Sequence, residues 1–196
     1  MKIYTSQGYR ITSPFGKRID PFTRKPVFHN GIDLVKAHKS PIHAFYGGTV
    51  IWARMGVTGS GYGGYGNVVA IRDRKNHTHV YAHLDSIDVQ QGQQVSAGQV
   101  VGRQGTTGRS TGSHLHYEIR RAGWNTHIDP TPYLRKLLEE DKKEMDKLTQ
   151  PKPQPLSLWA KEAHAWVVAK KISDGSRPKD VVTREEMWVM LHRASK

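Results

Sequence analysis

The rhythm of apolar and polar positions changes twice along this chain. Up to about residue 130, apolar residues come in short runs rich in strand formers, at 49–53, 67–72 and 79–83. Glycines punctuate these runs: Gly47 and Gly48, six between residues 56 and 66, then Gly102, Gly105, Gly108 and Gly112. A last run at 114–120 ends near Gly123. Short strands between glycine turns predict a mainly β domain of packed antiparallel sheets.

The rhythm then becomes helical. Over 131–148, Leu134, Leu137, Leu138, Met145 and Leu148 share one helical face, with a charged stretch at 139–144 between them. Pro151, Pro153 and Pro155 alternate directly afterwards, which forbids helix and favours an extended spacer. Residues 157–196 read as two helices around the turn Asp174-Gly175-Ser176-Arg177-Pro178. Thr183 fits the N-cap of the second, with Glu186 as its capping-box partner. The expected organisation is a domain over 1–135, a helical and Pro-rich linker over 136–156, and a small module over 157–196. About 40 residues make a marginal core, so that module is expected to depend on docking or self-association.

Composition removes several classes of function. The 196 residues include no cysteine, which excludes a disulfide scaffold, a Cys-based zinc finger and a cysteine nucleophile. No run of 18 apolar residues is present, so no helix is expected to insert into a membrane. The first eight residues lack the apolar core of a secretory signal. The expectation is a chain made in the cytoplasm, or one whose leader is absent. Thirty Lys and Arg against 17 Asp and Glu give a net charge of +13, which suggests a polyanionic partner. Residues 1–133 carry 16 of those cations and only 7 of the acids, so most of the excess lies on the β-rich part. No helix-turn-helix, zinc-finger or RNA-binding signature accompanies it, so nucleic acid is not the expected partner.

Histidine carries the chemistry. Nine of eleven lie in the first 127 residues, and two clusters contain most of the interest: His29-Asn30-Gly31-Ile32-Asp33 and His114-Leu115-His116-Tyr117-Glu118. Alternation along a strand puts His114 and His116 on one face and Leu115 on the other. His29 and Asp33 share a face in extended chain, and Gly31 lets another chain approach closely. Two imidazoles and one carboxylate suit a catalytic zinc ion, which uses three protein ligands and leaves one position open. Either His114 or His116 then ligates while its neighbour handles protons.

The order and spacing of these residues resemble the lysostaphin/LytM-type zinc metallopeptidases, which cut peptide cross-bridges in peptidoglycan. The likeness runs from about Ile11 to Leu134. It includes Ser13-Pro14-Phe15-Gly16-Lys17-Arg18, the His29–Asp33 cluster, Pro41-Ile42-His43-Ala44, Tyr81-Ala82-His83-Leu84, the run from Thr107 to Glu118, and Asp129-Pro130. The resemblance implies one zinc ion held by His29, Asp33 and His116. It implies His83 and His114 as the pair that activates water and stabilises the oxyanion. Loops 17–27, 55–66 and 104–113 would wall the substrate groove, with Asn30, Tyr62 and Tyr65 lining it. Some relatives carry a further tyrosine shortly before the first ligand, and residues 20–28 contain none. His38, His43, His77, His79 and His127 are expected to be loop or edge residues.

The C-terminal module resembles a single S-layer-homology repeat, carried by Trp159-Ala160, Trp166, Ile172-Ser173-Asp174-Gly175, Arg177-Pro178 and Val182-Thr183-Arg184-Glu185-Glu186. Such repeats bind anionic secondary cell-wall polymers and usually come in threes. Together the two resemblances imply a phage endolysin or autolysin relative that lyses its host by cutting the wall. The competing expectation is a catalytically silent wall-binding or activator protein of the same fold.

Overall fold

A computed structural model describes residues 2–122, 126–149 and 169. The module expected over 157–196 lies outside the described residues apart from Ala169. The chain divides into two compact units, the first Met1–Asp146 and the second Lys147–Lys196.

The first unit is mainly antiparallel β, as the alternation predicts. It opens with a helical turn, α1 (Lys2–Thr5), followed by β1 (Arg10–Ser13), β2 (Gly16–Ile19), β3 (Pro26–His29) and β4 (Ile32–Val35). Then come β5 (Pro41–His43), β6 (Gly48–Met55), β7 (Asn67–Arg72), β8 (Thr78–Leu84) and β9 (Ser86–Ile87). The last elements are β10 (Gln94–Val95), β11 (Val100–Arg103), β12 (Leu115–Arg120), β13 (His127–Ile128) and α2 (Pro130–Thr149). An eight-stranded sheet runs β1-β4-β12-β8-β7-β6-β10, with β13 added to β12. A small sheet β5-β11-β9 and the hairpin β2-β3 complete the fold.

The helical turn α1 is an addition to the β pattern expected up to about residue 130. It delivers Tyr4 into the core against Phe45 and Tyr117, with ring centroids 5.2 and 6.3 Å away. Burying an aromatic ring there contributes roughly 2 kcal/mol or more, enough to order a short terminal turn.

The central strands are buried on both faces, which is why β7 reads as a continuous apolar run rather than an alternation. Val69, Ile71, Tyr81, Leu115, Tyr117 and Ile119 meet Phe45 and the small sheet on one side. Val68, Ala70, Val80, Ala82 and Tyr62 form a second cluster on the other side. Leu134 and Leu137 of α2 join the main core. Asp141 and Glu140 of the same helix pair with Arg74 and Lys75. The segment expected to begin a linker at 136 thus starts inside a helix anchored on the β domain.

His79 corrects the expectation of a loop or edge residue. It is fully buried in β8, with Nδ1 2.6 Å from the Tyr117 hydroxyl and Nε2 3.2 Å from Asp73 Oδ2. Tyr133 donates to the same Asp73 oxygen at 2.7 Å. The odd residues of β8 face the core, and this imidazole is tolerated there because both ring nitrogens are partnered.

Candidate active site

Strand register builds the site. On β12, Leu115, Tyr117 and Ile119 turn to the core, so His116 and Glu118 turn to the opposite face. His116 stands directly across from Asp33 on β4 and from Ala82 on β8. Cross-strand partners lie close enough for side chains to touch, and the small Ala82 leaves room on the other flank. β3 ends at His29, and the chain turns through Asn30 and Gly31 into β4. A Cβ on Gly31 would sit 2.5 Å from the Tyr117 carbonyl and 2.8 Å from the His116 ring. Only glycine permits that approach.

The three donors converge. His29 Nε2 lies 3.0 Å from His116 Nδ1 and 3.1 Å from Asp33 Oδ1, and His116 Nδ1 lies 2.9 Å from the same oxygen. All three residues are buried. Around an ion with bonds of ~2.0 Å, tetrahedral ligand atoms stand roughly 3.3 Å apart, so this triangle is of metal-binding size.

Each donor is aimed from behind. His29 Nδ1 donates to the Pro14 carbonyl at 2.8 Å, leaving Nε2 with a lone pair toward the triangle. His116 Nε2 donates to Glu118 Oε1 at 3.0 Å, leaving Nδ1 as the donor atom. Arg18 holds the far oxygen of Asp33 at 2.8 Å. Such outer partners set tautomer and ring direction. Glu118 is fully buried and is held in turn by Arg120 at 2.6 Å, by His127 at 3.3 Å and by the Tyr65 hydroxyl.

Charge follows geometry. For Asp33, burial opposes ionisation, but the two imidazoles outweigh it and hold the carboxyl well below the usual range. For His116, burial opposes the charged form, and Asp33 and Glu118 overcome it, raising the metal-free imidazole to about 9. A cation bound at the triangle would take the place of that proton.

Two further imidazoles stand on the open side. The His83 ring centroid is 4.8 Å from His114 and 5.9 Å from His116, and His114 Nε2 is 3.6 Å from Asp33 Oδ1. Both rings spend Nδ1 on backbone carbonyls, His83 on Thr107 at 2.8 Å and His114 on Gly112 at 2.8 Å. Their Nε2 atoms are left to the site. Burial, then the neighbouring His114, lowers His83 to about 4, so it is neutral at neutral pH.

His83 reaches this position through an irregular backbone. Regular alternation in β8 would send it to the core beside Tyr81. Instead, between the pairs Asn67–Leu84 and Val69–Tyr81, the single residue Val68 on β7 stands opposite two, Ala82 and His83, on β8, a β-bulge. His83 takes φ +61°, a conformation costing on the order of 1–3 kcal/mol for a non-glycine residue. The ring swings to the site, and Leu84 returns to the core.

The groove expectations divide. Tyr62 is corrected: it is buried against Trp52, with ring centroids 5.0 Å apart, and packs on Val68 and Ala82. The loop needs its own apolar anchor, and Tyr62 supplies it. Tyr65 is half-buried beside His116, with centroids 5.5 Å apart, and spends its hydroxyl on Glu118. Asn30 is half-buried between His29 and Gly31. Sequence reasoning assigned no role to Glu118, Arg120 or Arg18. The alternation that groups His114 with His116 also places Glu118 and Arg120 on that face, so period two was a usable signal for them. Nothing local marks Arg18.

With this geometry in view, the relatives are informative. The sequence pattern of Peptidase family M23 matches residues 27–130. The DD-carboxypeptidase/endopeptidase Mpg of Neisseria meningitidis is 41% identical over 114 residues, 58% of this chain and 25% of that protein. The peptidoglycan DD-endopeptidase ShyA of Vibrio cholerae is 38% identical over 112 residues, 57% of this chain and 25% of its own. The chain spans about a quarter of the length of these curated relatives. Among solved structures, the catalytic domain of the prophage-encoded M23 protein EnpA of Enterococcus faecalis is 36% identical, with TM-score 0.54 over 63% of this chain and 89% of that one. The lysostaphin catalytic domain of Staphylococcus simulans is 30% identical, with TM-score 0.57 over 66% and 94%. A zinc-containing peptidase of Vibrio cholerae is 36% identical, with TM-score 0.54 over 63% and 36%.

Proposed function

We propose that this chain, which belongs to peptidase family M23 and has the lysostaphin/LytM-type fold, is a zinc-dependent endopeptidase hydrolysing peptide cross-links of bacterial peptidoglycan. The convergence of His29 Nε2, Asp33 Oδ1 and His116 Nδ1, with two further imidazoles beside them, carries this reading. Two neutral nitrogens and one carboxylate oxygen, with no thiol, fit zinc, and a related peptidase contains it.

His29, Asp33 and His116 would hold the ion, which supplies Lewis acidity to the scissile carbonyl and lowers the pKa of water. The chain's own residues do the rest. Pro14, Glu118 and Arg18 keep the three donors aimed, so no reorganisation accompanies reaction. His83 and His114 present Nε2 to the same space, one to take the proton of the attacking water and one to hold the charge that develops on the carbonyl oxygen. His83 is neutral at neutral pH, and with Nδ1 bound to the Thr107 carbonyl its Nε2 carries a lone pair rather than a proton.

The +13 charge draws the protein to the anionic wall, and its excess on the site-bearing part favours wall over nucleic acid. A relative encoded by a prophage supports an endolysin that acts on the wall after release from the cell. The S-layer-like module would add affinity for secondary wall polymer, with or without self-association. A silent activator of the same fold is the rival, and the presence of all five site side chains weighs against it.

The test is digestion of purified walls by the zinc-loaded protein, with mass spectrometry of the released peptides. His83→Ala and His114→Ala are expected to keep stoichiometric zinc yet lose on the order of 10²–10⁴ in rate. Wild-type protein that binds zinc but releases no cross-linked peptides would establish the rival.

A further inference from the structure

Beyond the metal triangle, an ion pair joins Arg109 to Asp20. Asp20 sits in the turn of the hairpin whose second strand ends at His29. Arg109 sits in the loop that holds the flanking imidazoles. Its own backbone N–H is pinned to the Gly64 carbonyl at 2.7 Å, Thr107 just before it holds His83, and Ser110 just after it lies 3.3 Å from His114 Nδ1. The Arg109–Asp20 contact therefore ties the hairpin that ends at a metal donor to the loop that holds the proton-handling pair.

That contact is loose. Arg109 Nη2 reaches the two Asp20 oxygens at 3.3 and 3.2 Å, longer than the usual 2.7–2.9 Å of a charge-assisted bond. Asp20 is also engaged elsewhere. Its Oδ1 accepts the N–H groups of Phe22 and Thr23 at 2.8 Å each and so closes the turn. Phe22 lies under the guanidinium, 4.6 Å from its carbon, and braces one face. A planar guanidinium held by its face keeps its edge donors free for a second carboxylate. The Arg109 side chain is 57% exposed, so a substrate can reach it.

We propose that Arg109 is a specificity residue that grips a free carboxylate flanking the scissile bond, with Asp20 holding its place in the absence of substrate. This rests on the endopeptidase reading and deepens it. The favoured cross-link is an acidic one, such as a direct link to diaminopimelate, over a neutral glycine bridge that offers no carboxylate.

The experiment compares two cross-linked wall peptides that differ only in whether the diaminopimelate carboxylate is free or amidated. The zinc-loaded full chain is expected to show kcat/KM about tenfold higher for the free acid, the scale of one exposed charged hydrogen bond. Arg109→Gln should erase that ratio through the acidic substrate while zinc content stays stoichiometric. Asp20→Asn, which keeps the turn's carbonyl acceptor but removes the competing charge, should preserve or raise the ratio. Equal rates of the wild type on both peptides would overturn the proposal and leave the endopeptidase reading intact, as would an undiminished ratio in Arg109→Gln. Cleavage of neither peptide by the wild type would overturn both.

Discussion

Two polar clusters, each a buried imidazole with carboxylate and tyrosine partners, are anchored on the sheet. One joins His79, Asp73, Tyr117 and Tyr133, and the other joins His116, Asp33, Glu118 and Tyr65. In the first, both nitrogens of the central imidazole are spent on neighbours, and nothing is left for a ligand. In the second, one nitrogen is spent on Glu118, and the other meets two further donors around a common point. A histidine is structural or functional according to where its second nitrogen goes, not according to its burial, since both are buried.

Removing each central imidazole puts the heaviest strain on this contrast. His116→Ala should lose bound zinc and all measurable wall hydrolysis, read by metal analysis and turbidity. His79→Ala should keep zinc at one per chain but lose roughly 3 kcal/mol of stability in denaturant unfolding, because it leaves a cavity in the core and strands the buried Tyr117 hydroxyl. Loss of zinc in the second variant, or its retention in the first, would dissolve the distinction.

A subtler change tests the partner behind the donor. Glu118→Gln keeps an acceptor for His116 but removes its charge and leaves Arg120 less balanced. Zinc affinity should fall on the order of 10–100-fold in chelator competition, with the fold intact. The last contrast is in pH. Burial holds His79 below its ordinary value of about 6.5, so its contribution to stability is present above that pH and is lost on acidification. Metal-free His116 is raised to about 9, so its contribution is complete below pH 6.5 and is lost as pH rises through about 9. Thermal unfolding of zinc-free wild type against His79→Gln and His116→Gln should show slopes of opposite sign.

Much of the fold was legible because alternation and glycine spacing are local. The runs at 67–72 and 79–83 became adjacent strands, and the helical face at 131–148 became α2. The site was legible as a set of residues, through period two on β12 and the glycine between His29 and Asp33. His83 was not legible as a site residue from periodicity, because a bulge reverses the face that alternation assigns. Tyr62 was not legible as a core anchor, because an aromatic in a glycine-rich loop has no period to say which way it points.

Composition and short-range pattern were enough to set the element types, the absence of thiol chemistry and the reservoir of His and Asp donors. Which imidazoles are ligand-like was decided at the level of the folded chain. That outcome depends on the register of β4 against β12, on the bulge in β8, and on Glu118, Pro14 and Arg18 meeting the donors from other strands and turns. Hydrogen bonds to the second nitrogen of each ring form only on folding, and they decide what the first nitrogen is free to do.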